Sequence, residues 1–437
     1  MINAAEVFLW GSRIGIVSFA DDAKFANFEY DRNFIDSGIE LSPLVMPLSR
    51  QVYSFPALNR ESFKGLPGLL ADSLPDTFGD AIIESWLAGQ GRTKDSMTPV
   101  ERLCYSGQRG MGALEYKPVI GPSDKKDVLI DIDRMVTLAS DILTKRSELA
   151  IDENDVDYLN LLKFGTSAGG ARAKAIVAID EKTGNICSGQ LANMKEHSYW
   201  IIKFDEVDGN GDHGEKDSKG YTRVEYAYYL MAKEAKLNMS ECRLLEDNGK
   251  YHFMTKRFDR KEKTGEKIHM QTLAALAHLD YNMPGSCSYE KASEICWRLG
   301  IGDNEICQLY RQMVFNVVAM NHDDHVKNIS FLMDKNGIWS LAPSYDICFS
   351  YKPDSIWVSR HQMTVNGKSE GITLEDIRRC GKSMGLNNKA IDKTVEEVCA
   401  AVERWNEFAQ EANVRLEDQE SIDGMLKRNK TAIFADR

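Results

Sequence analysis

The chain has 437 residues, 43% of them hydrophobic and 27% charged, with a formal net charge of −12. That length holds two or three domains with large cores, and the balance is that of an ordinary soluble globular protein, with no apolar run near the roughly 20 residues of a membrane span. The acidic surplus also argues against a chain that grips nucleic acid through a basic face, so any DNA role is expected to run through another protein.

The first 120 residues read as short strands and turns, at 7–10, 14–19 and 114–116. Between them lies LPGLLADSLPD (66–76), followed by helical spacing over 78–87 with Asp76 where an N-cap would stand. Residues 121–128 are polar and read as a linker. A helix is expected over 131–143, where Ile132, Met135, Val136, Ala139, Ile142 and Leu143 fall three and four apart. From Gly165 the pattern turns strand-like: 174–179, a turn at 181–185, and a strongly apolar strand at 199–204. Residues 205–220 form a polar, glycine- and charge-rich insertion, expected as a mobile loop. An amphipathic helix spans 221–237, and a strand at 251–258 runs into the basic cluster 256–263, read as a solvated strand end and turn. Beyond about Gln271 the pattern is mostly helical, with one hairpin over 329–341 turning at Asp334-Lys335-Asn336-Gly337. A strand-rich first half and a helix-rich second half predict an α+β, two-lobed protein. Nine cysteines, none in a CxxC pair, and a start without signal-peptide order predict reduced thiols and a cytoplasmic location.

Three stretches carry chemistry. Gly165-Thr166-Ser167-Ala168-Gly169-Gly170 precedes a strand, and small residues there let backbone N–H groups approach an anion. The stretch fits neither GxxxxGK[ST] nor GxGxxG, and a plain turn is the other reading. Lys203 lies near the end of the apolar strand Tyr199-Trp200-Ile201-Ile202-Lys203-Phe204. A lysine there reaches solvent or a charge partner, because unpaired burial is costly. A kinase sets such a lysine against nucleotide phosphates and pairs it with a helix glutamate, for which Glu225 is the candidate. The third stretch is Asn321-His322-Asp323-Asp324-His325-Val326-Lys327-Asn328, followed after a hairpin by Pro343-Ser344-Tyr345-Asp346. Asp323 and Asn328 have the five-residue spacing of a kinase catalytic loop, and Asp346 follows as a metal-binding aspartate would. A transition-metal site from His322, Asp323 and His325 finds no distant His/Cys cluster to complete it.

These stretches together resemble the HipA family, the kinase toxins of type II toxin–antitoxin modules. The resemblance rests on residues 66–79 (LPGLLADSLPDTFG), 99–116 (PVERLCYSGQRGMGALEY), 167–174 (SAGGARAK), 200–204, 256–260 (KRFDR), 322–328 and 343–346, in family order. It implies a two-lobed protein-kinase-like fold with a β-rich N-terminal lobe and a mostly helical C-terminal lobe. The implied divisions are a β-rich N-terminal subdomain (1–120), a kinase N-lobe (121–262) and a helical C-lobe (263–437). It further implies ATP and Mg²⁺ as cofactors. Lys203, Lys327 and the loop residues Ser167, Ala168, Gly169 and Gly170 would meet the nucleotide. Glu225 would pair with Lys203, and the backbone around Lys256 and Phe258 would take adenine. Asp323 would be the base, with His325 near the transferred phosphate, and Asn328 and Asp346 would hold the metal. Ser167 matches the serine that family members autophosphorylate to silence themselves. The chain departs from the family where Arg172-Ala173-Lys174 replaces Gln-Glu-Lys and Lys256 replaces a glutamate.

The implied substrate is a protein hydroxyl in the translation machinery, an aminoacyl-tRNA synthetase being one candidate. The implied partner is a HipB-like helix-turn-helix antitoxin, through which alone DNA is met; no membrane association is expected. Two alternatives stand beside this reading. One is a small-molecule kinase of the aminoglycoside-phosphotransferase type, whose loops generally carry glycine where this chain has His322. The other is a catalytically idle corepressor.

Overall fold

The computed structural model describes residues 2–20, 24–120, 130–145, 161, 165, 172–189, 196–209, 211–212, 215–216, 219–262 and 264–435. Its N-terminal part is built on an antiparallel sheet of β1 (Ala4–Leu9), β2 (Ser12–Ser18), β3 (Asn27–Tyr30), β4 (Tyr53–Ser54) and β5 (Leu114–Lys117), in the order β4-β3-β2-β1-β5. Alternation explains its inner face: Ala5, Val7 and Leu9 of β1 are buried while their neighbours are not. A two-residue turn at Trp10 and Gly11, both left-handed, joins β1 to β2.

A second antiparallel sheet has the order β11-β12-β8-β6-β7. Its strands are β6 (Lys174–Asp180), β7 (Ile186–Ser188), β8 (His197–Lys203), β11 (Cys242–Asp247) and β12 (Lys250–Lys256). Between β8 and β11 come β9 (Gly211–Asp212) and β10 (Glu215–Lys216), a small hairpin within the stretch expected as a loop, and then helix Tyr221–Glu234. One face of β6 and β8, with Ala175, Val177, Trp200 and Ile202, packs on helix Ile132–Lys145 and on Phe78 and Ile82 of helix Thr77–Gly89.

The C-terminal part is helical around the buried helix Asp303–Val318, with helices Tyr289–Arg298, Leu374–Ser383, Asn388–Glu403, Trp405–Glu411 and Leu416–Ile433. Its small sheet joins β13 (His269–Thr272) to the expected hairpin, β14 (Ser330–Met333) and β15 (Trp339–Leu341). Residues 342–373 depart from the mostly helical expectation: they contain neither helix nor named strand. That long irregular segment carries Asp346 and His361 to the site. The result is a mixed fold, β-rich toward the N-terminus and helical toward the C-terminus. No helix among the described residues is long and apolar enough to cross a membrane.

Candidate active site

Alternation along β8 sends Trp200 and Ile202 into the core and leaves Lys203 on the opposite face. There Lys203 lies opposite Lys174 of β6 and Phe253 of β12. Its Nζ donates to Glu225 Oε1 at 2.5 Å and to Asp346 Oδ1. Glu225 projects from the first turns of helix Tyr221–Glu234 and is buried. Asp346 takes a left-handed φ of 51°, a conformation that aspartate tolerates better than most side chains. Burial alone would favour the neutral amine of Lys203, but the charges of Asp346 and Glu225 outweigh it and hold the ammonium well above its ordinary range. Burial likewise opposes ionisation of Asp346, yet Lys203 and then Lys174 pull its carboxyl down to about 2. At Glu225 burial prevails and raises the carboxyl, with Lys203 opposing.

Lys174 and Asp76 form a part of the site that was not singled out as functional from the sequence. Asp76 is the expected N-cap, its Oδ1 accepting from the Gly79 amide at 2.8 Å, and its Oδ2 also takes Lys174 Nζ at 3.2 Å. Both side chains are almost fully buried. Only strand register reveals this pair, since nothing in the local sequence places Lys174 beside Lys203. The same N-terminal motif braces the opposite side of the cleft. Asp72 accepts from the Thr272 amide at 2.7 Å and the Thr272 hydroxyl at 2.9 Å. Thr272 caps the helix Leu273–Ala277, whose first amides bond the carbonyls of Ile329 and Val326.

The two adjacent aspartates of the catalytic-loop stretch have opposite fates. Asp323 keeps 27% of its side chain exposed, with His325 Nε2 at 3.8 Å. Asp324 keeps 1% and is committed to donors of the protein interior. Asn328 Nδ2 donates to the Asp323 carbonyl at 2.8 Å, which leaves its amide oxygen as the acceptor for a ligand. His325 Nδ1 accepts from the Lys327 amide at 3.3 Å, so in the neutral ring the proton is on Nε2, toward Asp323. Lys327 Nζ stands 4.3 Å from the centre of the Tyr281 ring. The Tyr345 hydroxyl donates to the Lys327 carbonyl at 2.5 Å, fastening the segment that bears Asp346 to the loop that bears Asn328.

At the end of β12 the geometry separates the two residues expected to take adenine. Lys256 has its amide on the Glu241 carbonyl at 2.8 Å and its own carbonyl on the Ser240 hydroxyl at 2.5 Å. Its ammonium lies between Glu241 and Glu262. Phe258 has no such backbone bond to another described residue, and its ring lies 5.6 Å from that of Tyr345. The basic cluster here is not a solvated turn throughout. Arg257 and Arg260 are buried around Asp259, which also accepts from the Gly112 amide at 2.7 Å. The apparent surface charge is an internal knot tying the N-terminal part to the strand end.

Ser167, Ala168, Gly169 and Gly170 lie outside the described residues. Arg172, the first described residue after them, packs its guanidinium 4.3 Å from the Tyr221 ring centre. A cavity of about 380 Å³ adjoins the Lys203–Glu225 pair, lined also by Arg172, Lys219, Tyr221 and Thr222.

The chain matches the HipA N-terminal domain over residues 5–117 and the HipA-like C-terminal domain over residues 166–405. A Haemophilus influenzae protein provisionally named a kinase is 26% identical over 273 residues, covering 54% of this chain and 76% of that protein. Among solved structures, the Shewanella oneidensis MR-1 toxin–antitoxin complex of HipA, HipB and operator DNA matches with a TM-score of 0.66. The match is 18% identical and covers 99% of this chain and 96% of that one. The Helicobacter pylori proinflammatory kinase CtkA matches at 14% identity and a TM-score of 0.36, covering 54% of this chain and 88% of that one. Both family domains therefore occur in order along one chain, over the sheet and the site described above, and this protein belongs to the HipA family.

Proposed function

We propose that this chain is an ATP- and Mg²⁺-dependent serine/threonine protein kinase of the HipA toxin type. The observation that carries the reading is the shared ammonium of Lys203, held between the buried Glu225 and the partly exposed Asp346. Phosphoryl transfer is mostly positioning and charge stabilisation, and this is the arrangement it uses. In the reaction, Lys203 would bind the nucleotide phosphates while Glu225 keeps it extended. Asp323 would accept the proton of the attacking hydroxyl as the bond from the γ-phosphorus to the acceptor oxygen forms and the bond to the leaving ADP breaks. His325, whose Nε2 lies 3.8 Å from that carboxylate, would stand near the transferred phosphate, and Lys327 would meet the nucleotide. Phe258 is favoured over Lys256 for the backbone contact to adenine, because the amide of Lys256 is already engaged.

The residues present fit a magnesium ion. Asp346, held down to about 2, is ionised at any physiological pH, and Asn328 offers an amide oxygen; both are the hard oxygen donors Mg²⁺ prefers. Bound there, the ion would neutralise phosphate charge. The division into an N-terminal subdomain (1–120), a nucleotide lobe (121–262) and a catalytic lobe (263–437) belongs to this reading, as does autophosphorylation at Ser167. The Shewanella protein was solved with HipB and operator DNA. By analogy this chain would meet a HipB-like antitoxin and reach DNA only through it, in keeping with its net charge of −12. The test is transfer of labelled γ-phosphate from Mg-ATP to lysate proteins and, in parallel, to small-molecule acceptors. Label in protein serine or threonine is expected. Label in small molecules alone would replace this reading with the aminoglycoside-phosphotransferase one, and absence of ATP binding would leave an idle binding partner.

A further inference from the structure

Behind Asp323 lies a buried chain of polar side chains that converges on Asp324. Asp324 Oδ2 accepts from the Tyr289 hydroxyl at 2.9 Å and meets His361 Nδ1 at 3.0 Å, and its Oδ1 accepts from the Gln362 amide at 2.7 Å. A carboxylate can only accept, so Nδ1 of His361 carries the proton. Tyr289 OH in turn accepts from Asn316 Nδ2 at 2.9 Å, and Asn316 Oδ1 accepts from Asn321 Nδ2 at 3.0 Å. The donor chain therefore runs from Asn321 through Asn316 and Tyr289 to Asp324, leaving the loop three residues before it returns. The far side is shut by the His322 and His361 rings, whose centres are 4.1 Å apart, and by the backbone bond from the His322 amide to Ser350 at 3.0 Å. Asn316, Asn321, Tyr289, Asp324 and His361 are all buried.

A buried carboxylate with both oxygens engaged is held in one geometry. That holds for Asp324, whereas Asn321 Oδ1 and His322 Nδ1, at the margins of the chain, have no partner among the described residues. Two elements outside the loop supply the donors: helix Tyr289–Arg298 carries Tyr289, and the irregular 342–373 segment carries His361 and Gln362. The side chain of Asp324 is anchored inward by three donors, while that of Asp323, its neighbour, stays 27% exposed.

We infer that Asp324 is a positioning residue, which with Tyr289 and His361 sets the orientation of the Asp323 carboxylate without touching nucleotide or acceptor. This rests on the kinase reading above and adds to it a second aspartate with a distinct role. A displacement of the base by an ångström would cost phosphoryl transfer roughly 10²-fold. Asp324→Asn in the full chain is therefore expected to slow single-turnover transfer from Mg-ATP by roughly 10- to 100-fold, with ATP affinity within about twofold of wild type. Tyr289→Phe, which removes one donor and keeps the ring, should slow transfer less. Adding Tyr289→Phe to Asp324→Asn should cost little more, because both act through one carboxylate.

Wild-type transfer in Asp324→Asn would overturn the inference. So would a loss of ATP affinity matching the loss of rate, which indicates general damage to the site. If Asp324→Asn does not fold, Tyr289→Phe decides: a slower transfer step at unchanged ATP affinity supports the inference, and an unchanged step ends it. Failure of the kinase reading looks different, since wild type would then transfer nothing or Asp323→Asn would transfer normally.

Discussion

Replacing Asp259 by alanine isolates the knot that ties the N-terminal part to the end of β12. The carboxylate accepts from Arg257 Nε at 2.8 Å and Nη2 at 2.7 Å, from Arg260 Nη1 at 2.7 Å and from the Gly112 amide at 2.7 Å. The side chains of Arg257 and Asp259 are 0% exposed and that of Arg260 is 3% exposed. Burial opposes ionisation of Asp259, but the two guanidiniums outweigh it and hold the carboxyl well below the usual range. Arg260 is depressed to about 10, by burial first and by Arg257 second, so the two cations already strain against each other with Asp259 present. Without it, two charges remain in a dry site with one amide unpaired. Breaking a buried ion pair from one side costs about 3–5 kcal/mol. At about 2 °C per kcal/mol for a large chain, the melting temperature should fall by roughly 6–10 °C. Gly112 has a left-handed φ of 73° and lies so close to Met270 that an added Cβ would stand 3.1 Å from its amide nitrogen, so the loop has little room to retreat. Differential scanning fluorimetry of Asp259→Ala beside Glu6→Ala, which breaks an exposed pair with Arg13, makes the comparison, and the surface variant should change stability by less than about 0.5 kcal/mol. An Asp259→Ala protein melting within a degree of wild type would show that water or another acceptor reaches the guanidiniums, and the account of the knot would be wrong.

Other outcomes follow from the site. Asp323→Asn should lower phosphoryl transfer by roughly 10²-fold or more while ATP still binds, read by single-turnover assay and calorimetry; an unaffected rate would remove Asp323 as the base. Lys203→Ala should weaken ATP binding and transfer together, and unchanged affinity would take that residue out of the nucleotide site. His269, His278 and His322 are held neutral by burial, at about 3, 4 and 3, below the ordinary value near 6.5. His269 Nε2 faces the amide nitrogen of Gln271 at 2.8 Å and His278 Nε2 accepts from the Gly68 amide at 3.0 Å, as neutral rings can. The unfolded chain binds these protons first, so stability is complete above about pH 6.5 and falls as pH drops toward 4, each histidine adding up to about 1.4 kcal/mol per pH unit. Melting curves from pH 7.5 to 4.5 should show the decline, with a shallower slope in His269→Gln. Incubation with Mg-ATP followed by intact-mass and peptide mapping should find one phosphate at Ser167; its absence there and at Thr166 would end the autoinhibition reading and leave the kinase proposal standing.

The sequence by itself determined what depends on local pattern. Asp76 at a helix start, the DKNG hairpin, the apolar run that ends in Lys203, and the five-residue spacing of Asp323 and Asn328 are legible because capping, turn geometry and strand period act over a few residues. Motif order was enough to suggest the family. Tertiary structure alone decided which charges are inside and what they meet. Asp323 and Asp324 are neighbours of the same type, and only the arrival of Tyr289, His361 and Gln362 from distant segments makes one a buried anchor and leaves the other open. KRFDR reads as a soluble turn until Gly112, almost 150 residues earlier, closes on Asp259. Lys174 becomes part of the site because β6 pairs with β8 in the register that sets it opposite Lys203, and because Asp76 crosses from the N-terminal part to hold it. Burial and long-range pairing raise the cost of an unpartnered charge from a few tenths of a kcal/mol at the surface to several kcal/mol inside, and the neighbours that impose that cost come from parts of the chain no local pattern connects.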